Sequence, residues 1–178
     1  ALSSRLGLPT VLTNLLVQRG IDTVEKAKKF FSPALCDLHD PFLMKDMDKA
    51  VERIEKAVKA GEKVMIYGDY DVDGTTAVAL VYKFLSQIGH KNLTFYIPDR
   101  YVDGYGISFR SIDHAVRKGV TLVIALDCGI KAVEKVVYAK ERGVDFIICD
   151  HHLPADEIPA AVAVLDPKRN DCNYPFDE

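Results

Sequence analysis

The chain has 178 residues, 48% hydrophobic and 28% charged, with a formal net charge of −3. That size allows one domain, or one domain with an appendage, and a sizeable core. No apolar run approaches the roughly 20 residues of a membrane helix, and no basic segment followed by an apolar stretch opens the chain, so no membrane span and no signal peptide is expected, although the sequence starts at Ala1 rather than Met.

Residues 1–45 read as irregular helical material, with short helices at Thr10 to Gln18 and Thr23 to Phe31 and with Gly20 and Pro33 as stops. Asp46 to Ala60 is an amphipathic helix whose apolar positions (Met47, Ala50, Val51, Ile54, Ala57, Val58) follow a 3.6-residue period up to Gly61. Strands then alternate with helices. Strands are expected at 63–67, 93–97, 121–126, 144–149 and, briefly, 162–165; helices at about 75–88, 108–118 and 131–142. Gly89, Gly119 and Gly143 end those helices, and Ser108 is an N-cap. The helix after Gly74 is apolar almost all round, which predicts burial between the sheet and another layer, with the N-terminal helices as a candidate cover. This pattern predicts an α/β fold: a parallel sheet with helices on both faces, spanning residues 46–178, preceded by a small helical segment at 1–45.

Three apolar strands end in carboxylates. Val64-Met65-Ile66-Tyr67 leads to Asp69, Asp71 and Asp73; Leu122 to Leu126 leads to Asp127; Phe146 to Cys149 leads to Asp150-His151-His152. Ligands of open α/β sheets bind outside the carboxyl ends of the strands, and oxygen donors with added imidazole favour Mn, Fe or Zn over Ca. Cys36, Cys128, Cys149 and Cys172 form no Cys-x-x-Cys pair, so a zinc ribbon is not expected and reduced, buried thiols are. The negative charge is unusual for a nucleic-acid binder, but removing the five clustered aspartates from the 26 acids leaves 21 against 23 basic residues, so a polyanionic substrate is not excluded.

The triplet Asp69-x-Asp71-x-Asp73-Gly74 fits an EF-hand poorly, because the twelfth position is Leu80 rather than Glu and the entering element is a strand. Asp71-Val72-Asp73-Gly74-Thr75 also matches the Asp-x-Asp-Gly-Thr of haloacid-dehalogenase-like phosphatases, with Asp71 as nucleophile and Asp73 as general acid. In that family, however, the strand runs directly into the first Asp, and Asp-His-His has no use. A two-metal site uses every residue: Asp71 and Asp73 facing one ion, Asp127 bridging two, and His151 supplying an imidazole, to clamp the oxygens of a phosphoryl displacement.

Together, Gly68 to Gly74, Leu126-Asp127-Cys128-Gly129-Ile130 and Asp150-His151-His152 resemble the DHH phosphoesterase superfamily. Ile97-Pro98-Asp99-Arg100 with Gly104-Tyr105-Gly106, Leu165 to Arg169, and Tyr174-Pro175-Phe176 are similar to its single-strand-specific DNA exonuclease branch. The resemblance covers residues 40–178, and the first 40 resemble the segment that precedes the catalytic domain. It implies a DHH-type, Rossmann-like fold and a 5′→3′ exonuclease that releases 5′-mononucleotides from single-stranded DNA in repair and recombination, with two Mn²⁺ or Mg²⁺ ions. Asp71, Asp73, Asp127 and His151 would be metal ligands and Asp69 a ligand or an orienter of ligands. Asp150 would orient the histidines, and His152 would contact the scissile phosphate. Arg100 is a candidate clamp on a DNA phosphate, against the alternative of a surface ion pair with Asp99 or Asp103; Tyr70, Tyr101 and Tyr105 are candidates for stacking on bases. The resemblance further implies a later acidic motif beyond Glu178, a monomer in the cytoplasm, and a single-strand-binding protein or helicase as partner. Two alternatives remain open: a phosphodiesterase of short oligonucleotides or cyclic dinucleotides, and a degenerate scaffold that binds nucleic acid or a replication partner without catalysis.

Overall fold

The computed structural model describes residues 2–176. The chain divides into two units, Ala1–Asp40 and Pro41–Glu178. The first carries helices α1 (Leu2–Leu6), α2 (Thr10–Gln18) and α3 (Val24–Phe31) and a 3₁₀ turn at Leu35–Asp37. The Thr23 hydroxyl caps α3 by accepting the N–H of Lys26.

The second unit opens with a 3₁₀ turn at Pro41–Leu43 and then runs α4 (Met47–Ala60), β1 (Val64–Gly68), α5 (Val72–Gln87), β2 (Leu93–Tyr96), α6 (Phe109–Arg117), β3 (Leu122–Leu126), α7 (Val133–Lys140), β4 (Asp145–Cys149) and β5 (Ala163–Leu165). All pairings are parallel and the strand order is β2-β1-β3-β4-β5. β1 and β3 are buried along their whole length, which is why they read as continuous apolar runs rather than alternating ones.

Successive side chains still take opposite faces. Met65, Tyr67, Val123, Ala125, Phe146 and Ile148 pack with Ile112 and Ala115 of α6 and Val136 and Ala139 of α7. Val64, Ile66, Leu122, Ile124, Leu126 and Ile147 pack with Ala50 and Ala57 of α4 and Val78 and Leu85 of α5. Helices therefore cover both faces, as the alternation of elements predicts. The chain reverses its direction of travel across the sheet between β1 and β3, and such a switch point opens a crevice at the carboxyl ends of the two strands.

Helix α5 departs from expectation in two ways. It begins at Val72, so Asp73 and Gly74 lie in its first turn and Asp71 is its N-cap, accepting the N–H of Gly74 at 2.9 Å. It is also not buried all round: Val78 and Leu85 face the sheet, whereas Leu80 and Phe84 are exposed. An apolar sequence on both sides of a helix sets how much of it can be buried, not how much is.

Candidate metal centre

The register of the sheet builds the site. Gly68 pairs with Leu126, Leu126 with Cys149, and Cys149 with Leu165. The residue after each of these is an aspartate: Asp69, Asp127, Asp150 and Asp166 stand in one row across β1, β3, β4 and β5. In the sequence alone Asp166 stands only within the stretch Leu165 to Arg169 and has no role in the site. The signal was there, since the short strand at 162–165 ends in an acid like the other three, but without the pairing order nothing set it in line with them.

Asp127, His151 and His152 converge, each offering a ligand atom within 4.8 Å of the others. His151 Nε2 lies 3.1 Å from Asp127 Oδ1. Asp127 holds its carboxylate there from a left-handed backbone, φ +61°, a conformation that Asp and Asn tolerate better than most residues. Burial, and next the charge of Asp71, push the Asp127 carboxyl above its usual range, while His151 and His152 oppose the shift. Asp71 and Asp73 stand outside the tight three-residue group and approach it from the start of α5, both exposed. Asp69 is fully buried; one oxygen accepts the N–H of Tyr70 at 2.8 Å and the other has no partner. Its pKa is raised, mainly by burial.

Asp150 behaves differently. Burial alone would raise its carboxyl, yet the pKa lies below the ordinary value because its oxygens accept N–H groups from Ile130, His151 and His152 and pair with the His152 ring. The ring contact, Asp150 Oδ1 to His152 Nδ1, is 2.7 Å. An ionised Asp150 only accepts, so Nδ1 of His152 carries the proton in that bond. In the tautomer protonated at Nδ1 alone, Nε2 accepts from the Tyr105 hydroxyl at 3.3 Å. Desolvation, then the charges of Asp69 and Asp150, push the Tyr105 phenol up to about 12, which keeps it a donor.

Tyr105 packs edge-on against His152 and against Tyr70, and the Arg100 guanidinium sits 4.4 Å above the Tyr70 ring. The structure does not give Arg100 the alternative ion pair with Asp99 or Asp103; Asp103 instead takes Arg110 at 3.7 Å. Tyr101 is 94% exposed and stands apart from this assembly. Beside Asp127 and His151 a cleft of ≈ 540 Å³ opens, lined also by Met44, Met47, Asp73 and Tyr174.

Fit to a divalent cation is a question of donor chemistry. The convergent set is carboxylate oxygen and imidazole nitrogen. A buried Asp69 oxygen lacks a partner, and carboxyl groups stand in a row with no lysine or arginine ion pair among the described residues at Asp69, Asp127 or Asp150. Such a set fits a divalent cation and holds no thiolate; Cys128 beside it is buried, with its thiol pKa pushed well up.

The family model described as "DHH family, N-terminal domain" matches residues 63–174. The chain is 42% identical to the single-stranded-DNA-specific exonuclease RecJ of Bacillus subtilis (strain 168) over 178 residues, 100% of this chain and 22% of that protein. It is 34% identical to the protein of the same name from Escherichia coli (strain K12) over 169 residues, 94% of this chain and 28% of that one. This chain thus spans about a quarter of the length of these curated relatives. A crystal structure of exonuclease RecJ bound to manganese superposes with a TM-score of 0.68 at 28% identity, over 75% of this chain and 34% of that one. RecJ from Thermus thermophilus in complex with Mn²⁺ gives 0.68 at 25% identity, over 89% and 22%.

Proposed function

Since this chain belongs to the DHH family, we propose that it forms the metal-dependent phosphodiesterase centre of a 5′→3′ exonuclease that hydrolyses single-stranded DNA to 5′-mononucleotides in repair and recombination. The observation that carries this reading is the convergence of Asp127, His151 and His152 at the switch point of the sheet, in reach of the charges of Asp71 and Asp73. The names of the relatives, and the manganese in the related crystal structures, support the choice of substrate and of metal.

Asp71, Asp73, Asp127 and His151 would hold two ions, Mn²⁺ or Mg²⁺, with Asp69 as a further ligand or an orienter of ligands. When bound, such ions polarise a phosphodiester and neutralise its charge. The protein's own groups do the rest. Asp150 fixes the His152 ring through Nδ1 and so leaves Nε2, which faces the Tyr105 hydroxyl, as the nitrogen that would meet the scissile phosphate and, once protonated, give a proton to the leaving oxygen. Arg100 supplies a planar fork for a backbone phosphate, and Tyr70 and Tyr105 offer ring faces to bases. Single strands for such a site would be supplied by a helicase or a single-strand-binding protein.

The test is release of 5′-label from single-stranded DNA by the full-length protein with Mn²⁺, next to Asp127→Ala. Early release of 5′-mononucleotide by the parent, absent from the variant and on duplex DNA, is the expected result. Hydrolysis confined to short oligonucleotides or cyclic dinucleotides would move the chain to another branch of the family. No hydrolysis of any of these substrates would leave a binding scaffold.

A further inference from the structure

Arg100 and Tyr105 sit on one loop, between β2 and α6, and that loop has no regular secondary structure of its own. Two side chains meant to grip a flexible polymer need a rigid mount, because each freedom frozen on binding weakens it. We propose that Asp103 is the positioning residue that holds this loop in its gripping shape; the proposal rests on the reading of Arg100 and Tyr105 as substrate contacts.

Asp103 lies between the two in sequence, yet its side chain is only 3% exposed while Arg100 and Tyr105 are in solvent. One of its oxygens accepts the Tyr96 hydroxyl at 3.0 Å and the backbone N–H of Asp99 at 2.9 Å. The other has no hydrogen-bond partner and faces Arg110 across 3.7 Å. Asp99 in turn receives the N–H groups of Tyr101 and Val102 on its own carboxylate, and its carbonyl accepts the N–H of Asp103 at 2.8 Å. Residues 99–103 are thereby closed into a turn around Arg100.

The turn is anchored to the sheet through the same residue. Tyr96, which holds Asp103, lies flat on Tyr67 of β1, ring centroids 5.4 Å apart and planes within 7°. The Tyr67 hydroxyl donates to the carbonyl of Gly106 at 2.8 Å, just past Tyr105. Both ends of the loop are therefore referred to β1, the strand that delivers Asp69 and Asp71. Asp103 touches neither the acids nor the histidines of the site, so its effect is on where the grip stands relative to them.

Removing the carboxylate leaves the Tyr96 hydroxyl and the Asp99 N–H without their acceptor and frees the turn. In Asp103→Leu of the full-length protein, affinity for a labelled single strand, read by anisotropy in EDTA, is expected to fall roughly tenfold. KM rises by the same factor, with kcat within about twofold and Mn²⁺ affinity unchanged. Asp103→Asn retains an acceptor oxygen and restores most of the affinity. Tyr96→Phe keeps the stack on Tyr67 but deletes one bond, loses about threefold, and carries the test should the leucine variant not fold. Amide exchange across residues 99–106 speeds up in Asp103→Leu while that of 64–68 does not, a readout independent of any substrate. Wild-type affinity and exchange in Asp103→Leu, a fall in kcat at unchanged KM, or an Asn variant as impaired as Leu would each overturn the proposal. A wild-type protein that binds no single strand, yet shows the local exchange effect, would instead sink the substrate reading and leave the mounting role standing.

Discussion

Gly68 and Gly74 bring the end of β1 and the first turn of α5 into backbone contact. A Cβ on Gly74 would stand 2.5 Å from both the N and the O of Asp69, and one on Gly68 would stand 2.6 Å from the carbonyl oxygen of Gly74. No flexible side chain is available to yield at either glycine's backbone contact. Gly74→Ala is therefore expected to push α5 off the strand end, moving Asp71 and Asp73 together. Thermal unfolding should show a loss of about 2–3 kcal/mol, in the range of core overpacking, and the exonuclease activity proposed for the full-length protein should fall much further than stability does. Wild-type melting and activity in this variant would contradict the contact.

Asp150 gives a separate handle on the histidines. Asp150→Asn keeps an acceptor but can turn its amide toward Nδ1, which favours the wrong His152 tautomer. Activity should drop about 10- to 100-fold, as is typical when the partner that orients a histidine is changed, with little loss of melting temperature. Asp150→Ala strands the N–H groups of Ile130, His151 and His152, so it should also cost about 1–3 kcal/mol for each one left buried. A ring nitrogen spectrum of His152 separates the two effects.

Arg169 is 8% exposed and ties the start of α4 to the segment after β5, bonding Asp46 at 2.8 Å, the carbonyl of Val164 and, in a fork, Asp171. Arg169→Met leaves the Asp46 carboxylate buried, with Lys49 as its remaining cation, and should destabilise by about 3 kcal/mol. The pH dependence has a definite sign. Burial raises the Asp46 carboxyl, but Lys49 and Arg169 outweigh it and the folded pKa is lowered. The stability this contributes is present above the ordinary carboxyl range and is lost as pH falls through the lowered value. Acid unfolding of Arg169→Met, followed by circular dichroism, should show that part of the slope reduced.

Asp166 has the opposite sign. It is fully buried, one oxygen is without a partner, and burial raises its pKa. A raised carboxyl favours the folded state below the unfolded value and loses that contribution as pH rises through the folded value. In metal-free protein, Asp166→Asn should therefore raise the melting temperature at pH 7 and not at pH 3.5. Equal melting shifts at both pH values would show that charge is not the cause.

Much of this was legible in the chain itself. The parallel sheet followed from apolar runs alternating with glycine-stopped helices, and the acids at strand ends followed from the same runs. The start of α5 was missed because Asp71, a capping residue, and Gly74, required by close packing, both look like loop residues when read singly. The exposure of Leu80 and Phe84 was missed because periodicity reports which sides of a helix could be buried and not what lies against them. Asp166 needed the strand order, and the Asp103 clasp needed the meeting of Tyr96 with a residue seven positions on, which no spacing rule encodes.

The row of four aspartates is a property of pairing, not of the aspartates alone. Sliding any one strand by a single residue would carry its acid out of line and turn it to the opposite face. What opposes that slide lies three residues back from the row: Ile124 and Ile147, buried and paired in the sheet, hold which rung meets which. Inactivating substitutions in this protein should then fall into two geographic classes, one at the carboxyl edge and one in the sheet interior, where enlarging or shrinking an isoleucine leaves every acid in place chemically and detunes their alignment.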